Sequence, residues 1–306
     1  MPAMNSRTAY IALNMIPGIG PVGVRALVGQ LGTPEALFTA AAAELAAVPG
    51  IARDQVAALL AQRDRVDPDA EEERAAALGA RLITPVDEEY PRPLRAIHDP
   101  PLALYMLGTL QARDEHAVAL VGSRRTTHYG SETAERLAYQ LAAQGMTVVS
   151  GLARGIDTAA HRGALKAGGR TLAVLGGGLD CLFPPENAEL AKQIERQGAV
   201  LTEYPLGRQP DKTTFPYRNR IISGLSLGVV VVEAGLTSGA MITAAQAAEQ
   251  GRTVFAVPGR IDSVGSQGPH RLLKEGAKLV ANVDDIFEEF GQLIKLPRPG
   301  HAAGGG

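Results

Sequence analysis

The sequence is poor in the features that would place it outside a reducing, aqueous compartment. Its 306 residues include one cysteine, Cys181, so no disulfide framework exists and a reducing compartment is expected. No stretch reaches the roughly 20 consecutive apolar residues of a membrane span. The opening MPAMNSRTAY has no apolar run of the signal-peptide kind. A cytoplasmic protein without a membrane partner is expected. Tryptophan is absent and aromatics are 4% of the chain, so each aromatic in a polar segment stands out. Basic charge is not in excess either. The formal net charge is -2, which excludes a chain coated in cations and confines polyanion binding to a local patch. Lysine is scarce, and arginine, which carries most of the positive charge, suits planar bidentate phosphate contacts. No Walker A loop and no GxGxxG opening occurs, which disfavours a bound nucleoside triphosphate or dinucleotide. No cofactor, metal or catalytic residue is assigned.

What is present is 45% apolar residues, enough for a packed core, and a stretch at 214–245 around which the rest is organised. It opens with a polar, arginine-bearing turn containing Phe215, Pro216, Tyr217, Arg218, Asn219 and Arg220. A β-branched run, Val229 to Val232, follows and ends in Glu233. A loop of small and hydroxyl residues, with Gly235, Thr237, Ser238 and Gly239, then opens an alanine-rich helical pattern. A continuous apolar run bounded by turn signals suits a strand buried on both faces. Strand, small-residue loop and helix in that order make an anion cradle at the strand's carboxyl end.

Residues 8–62 read as short helices. Pro-Gly-Ile occurs twice between helical runs, at Ile16 to Gly20 and Val48 to Ala52. The doubled pattern resembles a tandem helix-hairpin-helix module, whose hairpin N–H groups hold a duplex phosphate without reading bases. The plainer reading is a small helical domain that does not touch DNA. A proline-studded extended segment follows a short strand at 81–84 and is expected as an edge extension. From 116 onward strands alternate with helices, which predicts a doubly wound, mostly parallel sheet of Rossmann-like α/β type. Right-handed crossovers gather the glycine loops at 122–124, 151–155, 176–178 and 235–239 on one edge, with Arg124, Arg154, Arg218 and Arg220 beside them. The expected divisions are a helical domain at 1–70, the Rossmann-like domain at 71–292, and a disordered Pro/Gly-rich tail at 293–306.

The series GSR at 122–124, SGLARGIDTAAH at 150–161, FPPEN at 183–187, FPYRNRIISGLS at 215–226, VVVVEAGLTSGAMITA and VFAVPG resembles the DprA/Smf family, the DNA-processing proteins of natural transformation. Several separate motifs in family order are far more specific than one loop. The resemblance implies a single-stranded DNA binder, with weaker duplex binding, that protects incoming DNA, dimerises and loads the RecA recombinase. On this chain the matching positions are Gly122, Ser123, Arg124, Arg154, Gly155, Phe215, Arg218, Asn219, Arg220, Thr237, Ser238 and Gly239, with Phe183 as an added base-stacking position. The chain departs from the family pattern at His270, where asparagine is frequent. It also ends without the winged-helix domain that many members carry.

Several residues carry two readings. Phe183 either stacks on bases or packs in the core. Asp157 is expected to cap the helix after its glycine turn, with His161 as its structural pair one helical turn on. Glu233 is the best enzymatic carboxylate, compatible with a LOG-type nucleotide phosphoribohydrolase; structurally, it would accept N–H groups of the loop after it. The dimer contact is expected within 269–290 through Leu272, Leu273 and Ile286, which otherwise cover the sheet.

Overall fold

The computed structural model describes residues 4–291; the tail expected to be disordered, 293–306, lies outside them. Five helices come first: α1 (Ser6–Met15), α2 (Pro21–Leu31), α3 (Ala36–Thr39), α4 (Ala42–Ala46) and α5 (Arg53–Gln62). α1 starts where the Asn5 side chain accepts the Thr8 N–H at 2.9 Å, and α2 starts on Pro21, whose missing N–H has no partner to lose there. The two Pro-Gly hairpins lead into α2 and α5. Gly18 has a φ of +93°, which a side chain would strain. Leu13, Leu27, Leu37, Leu45 and Leu59 close a core under these helices.

The chain continues through α6 (Pro68–Ala77), β1 (Arg81–Ile83), α7 (Arg92–Arg95) and β2 (Leu104–Gly108). The alternating part follows as β3 (Ala117–Val121), α8 (His128–Ala143), β4 (Thr147–Ser150), α9 (Ile156–Lys166), β5 (Thr171–Val174), α10 (Ala188–Gln197) and β6 (Ala199–Thr202). It ends with α11 (Thr214–Gly224), β7 (Gly228–Val231), α12 (Gly239–Glu249), β8 (Thr253–Ala256), α13 (Val264–Lys274), β9 (Lys278–Leu279) and α14 (Asp284–Phe290). Among the described residues, all nine strands join one sheet in the order β1-β2-β6-β5-β4-β3-β7-β8-β9. Neighbours from β6 to β9 are parallel, and β2 and β1 are added antiparallel at one edge, which is the extension expected of the proline-studded segment. The chain moves outward from β3 to β6, returns to the far side of β3 as β7, and moves outward again. That reversal between β3 and β7 is a topological switch point, where open α/β sheets hold their ligands.

Both faces of the sheet are covered, which is why its strands read as unbroken apolar runs. Ala117, Ala119 and Val121 point to the layer holding Ile221, Ile222, Ala240 and Ala244 of α11 and α12. Val118 and Leu120 point to the layer holding Leu137, Leu141, Ile156 and Phe290 of α8, α9 and α14. The expected dimer residues are spent in these layers. Ile286 is buried in the second, Leu272 is buried in the first, and Leu273 packs partly buried against the first. They hold α13 and α14 on the sheet, and burial leaves Leu272 and Ile286 little surface for a second copy.

The helical unit expected to fold separately at 1–70 shares a buried seam with the sheet. Ile11 lies in a cluster with Leu82, Tyr105 and Leu175. Asn14 Nδ2 donates to the Glu203 carbonyl at 2.8 Å, and Arg7 pairs with Glu72 at 2.7 Å. Just past residue 70, buried Glu71 of α6 accepts from the Tyr105 hydroxyl at 2.9 Å and the Leu206 N–H at 2.8 Å.

Candidate nucleic-acid interface

Beyond the carboxyl ends of β3 and β7 the switch point opens into a cleft of about 570 Å³. The β3–α8 loop lines it with Gly122, Ser123, Arg124 and Arg125; α11 lines it with Phe215, Pro216, Arg218 and Asn219; the loop into α12 adds Thr237, Ser238 and Gly239. Nine of the positions expected from the sequence therefore meet in one place. The loops are tied as well as adjacent. The Ser123 N–H donates to the Glu233 carbonyl at 2.7 Å. Gly155 has a φ of +75°, and a Cβ there would sit 2.2 Å from the Ser123 carbonyl oxygen. Gly155 thus lets the loop before α9 close on the first loop, a shaping role.

The segment expected as a turn at 215–220 is the start of helix α11. Asp211 accepts the N–H groups of Thr213 at 2.7 Å and Thr214 at 3.0 Å, and the Thr213 hydroxyl and these amides hold its carboxyl well below the usual range. Pro216 falls in the first turn, where an N–H needs no helical partner. A helix advances about 100° per residue, so Arg218 and Arg220 point to opposite sides. Arg220 leaves the cleft. It is 2% exposed, its guanidinium grips both oxygens of Glu203 at 2.5 and 2.7 Å and reaches Asp99 at 2.9 Å, and it lies 4.0 Å from the Tyr217 ring centroid. Its expected DNA contact is corrected to a buried structural ion pair.

Arg218 goes to the floor of the cleft. It is 4% exposed, donates to the Gly151 carbonyl at 3.0 Å and contacts Asn219 Oδ1 at 3.3 Å. Among the described residues, no carboxylate oxygen comes within 4.0 Å of it. Burial pushes its guanidinium down to about 10, against the opposing pull of Asp157. A buried cation without a carboxylate in contact is costly, and a bound anion relieves that cost. Asp157 itself accepts the Gly151 and Ala153 N–H groups at 3.1 and 3.3 Å, fixing the loop that the Arg218 side chain grips; burial pushes its carboxyl up.

Arg124, Arg125 and Lys212 stand exposed around the cleft. The Arg124 guanidinium carbon lies 4.7 Å over the Phe215 ring. Phe183, 40% exposed, continues the row, 6.0 Å from Phe215 between centroids, and Arg154 lies 5.6 Å over Phe183 while pairing with Glu186. Phe183 is therefore a surface aromatic and not core, and Arg154 flanks the cleft without lining it. Arg125 and Lys212 escaped sequence reading. Arg125 directly follows Arg124, and Lys212 stands in the Pro-Asp-Lys turn before α11, so their signal was adjacency to residues already singled out.

The third glycine loop does not reach the cleft. Gly176 lies against the Phe215 ring and Gly177 against Pro210, so the loop carries the segment leading into α11. Buried Glu233 accepts from Thr126 Oγ1 at 2.8 Å and from the N–H and hydroxyl of Thr127 at 2.9 and 2.5 Å. Its partners come from the β3–α8 loop, not from the loop following it, and it does not line the cleft. His161 pairs with Thr171 Oγ1 at 2.7 Å, not with Asp157, and burial pushes it down to about 3. Cys181 lies 3.1 Å from Gln209 Nε2. Among the described residues no three His, Cys, Asp or Glu side chains group as metal ligands, and no helix is long and apolar enough to cross a membrane. Of the hairpins, the first places Gly20 near the Tyr217 hydroxyl. In the second, Gln55 takes the Ala52 N–H at 3.0 Å.

Comparison with known proteins agrees with this layout. Residues 81–291 match the model of the family described as DNA recombination-mediator protein A, and residues 10–63 match that of the SAM-like helix-hairpin-helix tandem. Protein Smf of Synechocystis is 38% identical over 297 residues, covering 95% of this chain and 75% of its own. The X-ray structure of DNA processing protein A from Streptococcus pneumoniae superposes with a TM-score of 0.81 at 35% identity, covering 94% of this chain and 98% of that one. The structure describing the single-stranded DNA binding mode of DNA processing protein A from Helicobacter pylori superposes with a TM-score of 0.63 at 30% identity, covering 70% of this chain and 96% of that one.

Proposed function

Because the chain belongs to the DNA recombination-mediator protein A family, we propose that it binds single-stranded DNA in the switch-point cleft, as a non-enzymatic binder. The observation that carries this reading is Arg218, a buried guanidinium without a carboxylate partner, set beneath three exposed cations. Phosphates take Arg124, Arg125, Lys212 and Arg218. Bases stack on Phe215 and Phe183, each worth about 1–3 kcal/mol and tolerant of sequence. Thr237, Ser238 and Gly239 add donors at the start of α12. Duplex binding is weaker and uses the first hairpin, whose helix has no side-chain cap and no acidic residue in its first turn.

The nucleotide phosphoribohydrolase alternative asks for a carboxylate open to the cleft. Glu233 is engaged by Thr126 and Thr127 and Asp157 by backbone N–H groups, which favours binding over hydrolysis. The wider reading, a cytoplasmic protein that protects incoming DNA in natural transformation and loads RecA, rests on the family resemblance. A homodimer belongs to it, since two coupled clefts bind at high effective concentration. The surface that supports a dimer is the open sheet edge at β9, where Leu279 is 50% exposed.

Salt-titrated fluorescence anisotropy on single- and double-stranded oligonucleotides tests the proposal. Four phosphate contacts give a log–log salt slope of about -3 on single strands. Equal affinity for both substrates at every salt concentration, or a slope near zero, overturns it.

A further inference from the structure

The cleft is larger and more apolar than a passing backbone phosphate requires. A phosphate crossing a loop needs a few donors at the surface, and Arg124, Arg125 and Lys212 already stand there. The cleft they help to line holds about 570 Å³, within the range of small-molecule sites. Phe215 and Pro216 of α11 and Ala240 and Ile242 of α12 are among its lining, as is Asp157, whose Oδ2 accepts two backbone N–H groups, and the Arg218 cation sits buried at its floor with no carboxylate oxygen within 4.0 Å among the described residues. An anion has to reach that floor to relieve Arg218. An internal phosphodiester carries chain on both sides and a single negative charge. A terminal phosphate carries chain on one side and up to two negative charges.

We infer that the cleft takes a nucleoside phosphomonoester, its phosphate on Arg218 and its base between Phe215 and Ile242, supplied by the phosphorylated end of a strand or by a free mononucleotide. The inference rests on reading the cleft as a nucleic-acid site and adds two properties to it: preference for a strand end and a small-molecule competitor.

The test compares one internally labelled oligonucleotide with a hydroxyl or a phosphate at either end, by anisotropy, and titrates each complex with dTMP, thymidine or inorganic phosphate at constant ionic strength. A phosphorylated end should bind about tenfold tighter, as a charge-assisted hydrogen bond provides. dTMP should displace the unphosphorylated strand while thymidine and inorganic phosphate should not. End preference alone assigns the strand terminus as the source, and displacement alone assigns the free nucleotide. Equal affinity for all ends together with no displacement by dTMP overturns the inference. Saturation-transfer NMR with dTMP and no DNA separates the two levels. If no oligonucleotide binds, the single-strand reading fails while a dTMP signal still upholds this one, and its absence sinks both. Arg218→Met should remove the dTMP signal. If circular dichroism shows that variant unfolded, Ile242→Trp, which fills the cleft from a part-exposed position, should remove it in a folded protein; a dTMP signal that survives there overturns the assignment to this cleft.

Discussion

Arg124 and Arg220 both stand in arginine-bearing motifs near glycine loops, but Arg124 is exposed and Arg220 buried, and the different work proposed for them is measurable by a paired substitution. Arg124 is exposed, stacked on Phe215 and without a carboxylate contact among the described residues. Arg124→Ala should weaken single-strand binding by about 1–3 kcal/mol, the range for a charged hydrogen bond. It should also reduce the salt slope by about 0.7, one phosphate. Stability should stay within about 0.5 kcal/mol, as for a surface change. Arg220 is buried against Glu203 and Asp99. Arg220→Met strands the buried Glu203 carboxylate, which costs about 3–5 kcal/mol, a large part of the roughly 5–15 kcal/mol that holds a domain folded. Its salt slope, measured where the protein is still folded, should match the parent. Urea unfolding and salt-titrated anisotropy on both variants decide the matter. An Arg220→Met protein with the parent's urea midpoint and a reduced salt slope would refute the sorting, and so would an Arg124→Ala protein with unchanged affinity and slope.

Other consequences are as concrete. His161 is neutral in the fold, pushed down to about 3 by burial, whereas an unfolded histidine titrates near 6.5. Its contribution is therefore intact above about pH 6.5 and is lost as pH falls toward 3, at about 1.4 kcal/mol per unit. Urea unfolding at pH 7 and pH 5 should show a loss of about 2 kcal/mol that His161→Gln removes, and an identical pH dependence in the variant excludes His161 as the source. Removing residues 1–66 strips Ile11 from Leu82 and Tyr105 and Asn14 from Glu203, so the truncated protein should bind a hydrophobic dye and unfold at lower urea; a well-behaved fragment with the parent midpoint contradicts the shared seam. Leu272→Arg should unfold the protein, because it charges a buried layer, whereas Leu279→Arg should stay folded and read as a monomer by light scattering; a Leu279→Arg dimer moves the contact away from β9.

The parts of this protein that sequence displays well are those that repeat a local rule. Val229 to Val232 is apolar at every position, and only a strand covered on both faces asks for that. The loops at 122–124 and 235–239 were expected on one edge and are found there because parallel strands bring their carboxyl ends together. What sequence does not display is the side on which an arginine lies. Arg218 and Arg220 differ by two positions, equivalent in a turn but about 200° apart on the helix that Asp211 starts. Leu272 and Ile286 fail as interface residues for a related reason, since an apolar stripe on a terminal helix has the same spacing whether a sheet or a partner covers it. Phe183 is the reverse case, an aromatic whose exposure follows from its place in a row with Phe215 and Arg154.

A net charge of -2 is compatible with a polyanion site because of where the carboxylates are absent. Outside the cleft, cations are matched: Arg154 with Glu186, Arg208 with Asp211, Arg260 with Asp262. Within it, Arg124, Arg125, Lys212 and Arg218 have no carboxylate within 4.0 Å among the described residues. Of the two acids nearest by sequence and fold, Glu233 is committed to Thr126 and Thr127 outside the cleft, whereas Asp157 lines it and accepts the amides at 151 and 153. At physiological ionic strength, charges between exposed groups farther apart than about 8 Å are largely screened, so the proposed strand in the cleft would feel these four cations more than the distant acidic remainder. The patch arises from the placement of pairs, with no surplus of basic residues, and composition alone does not reveal it.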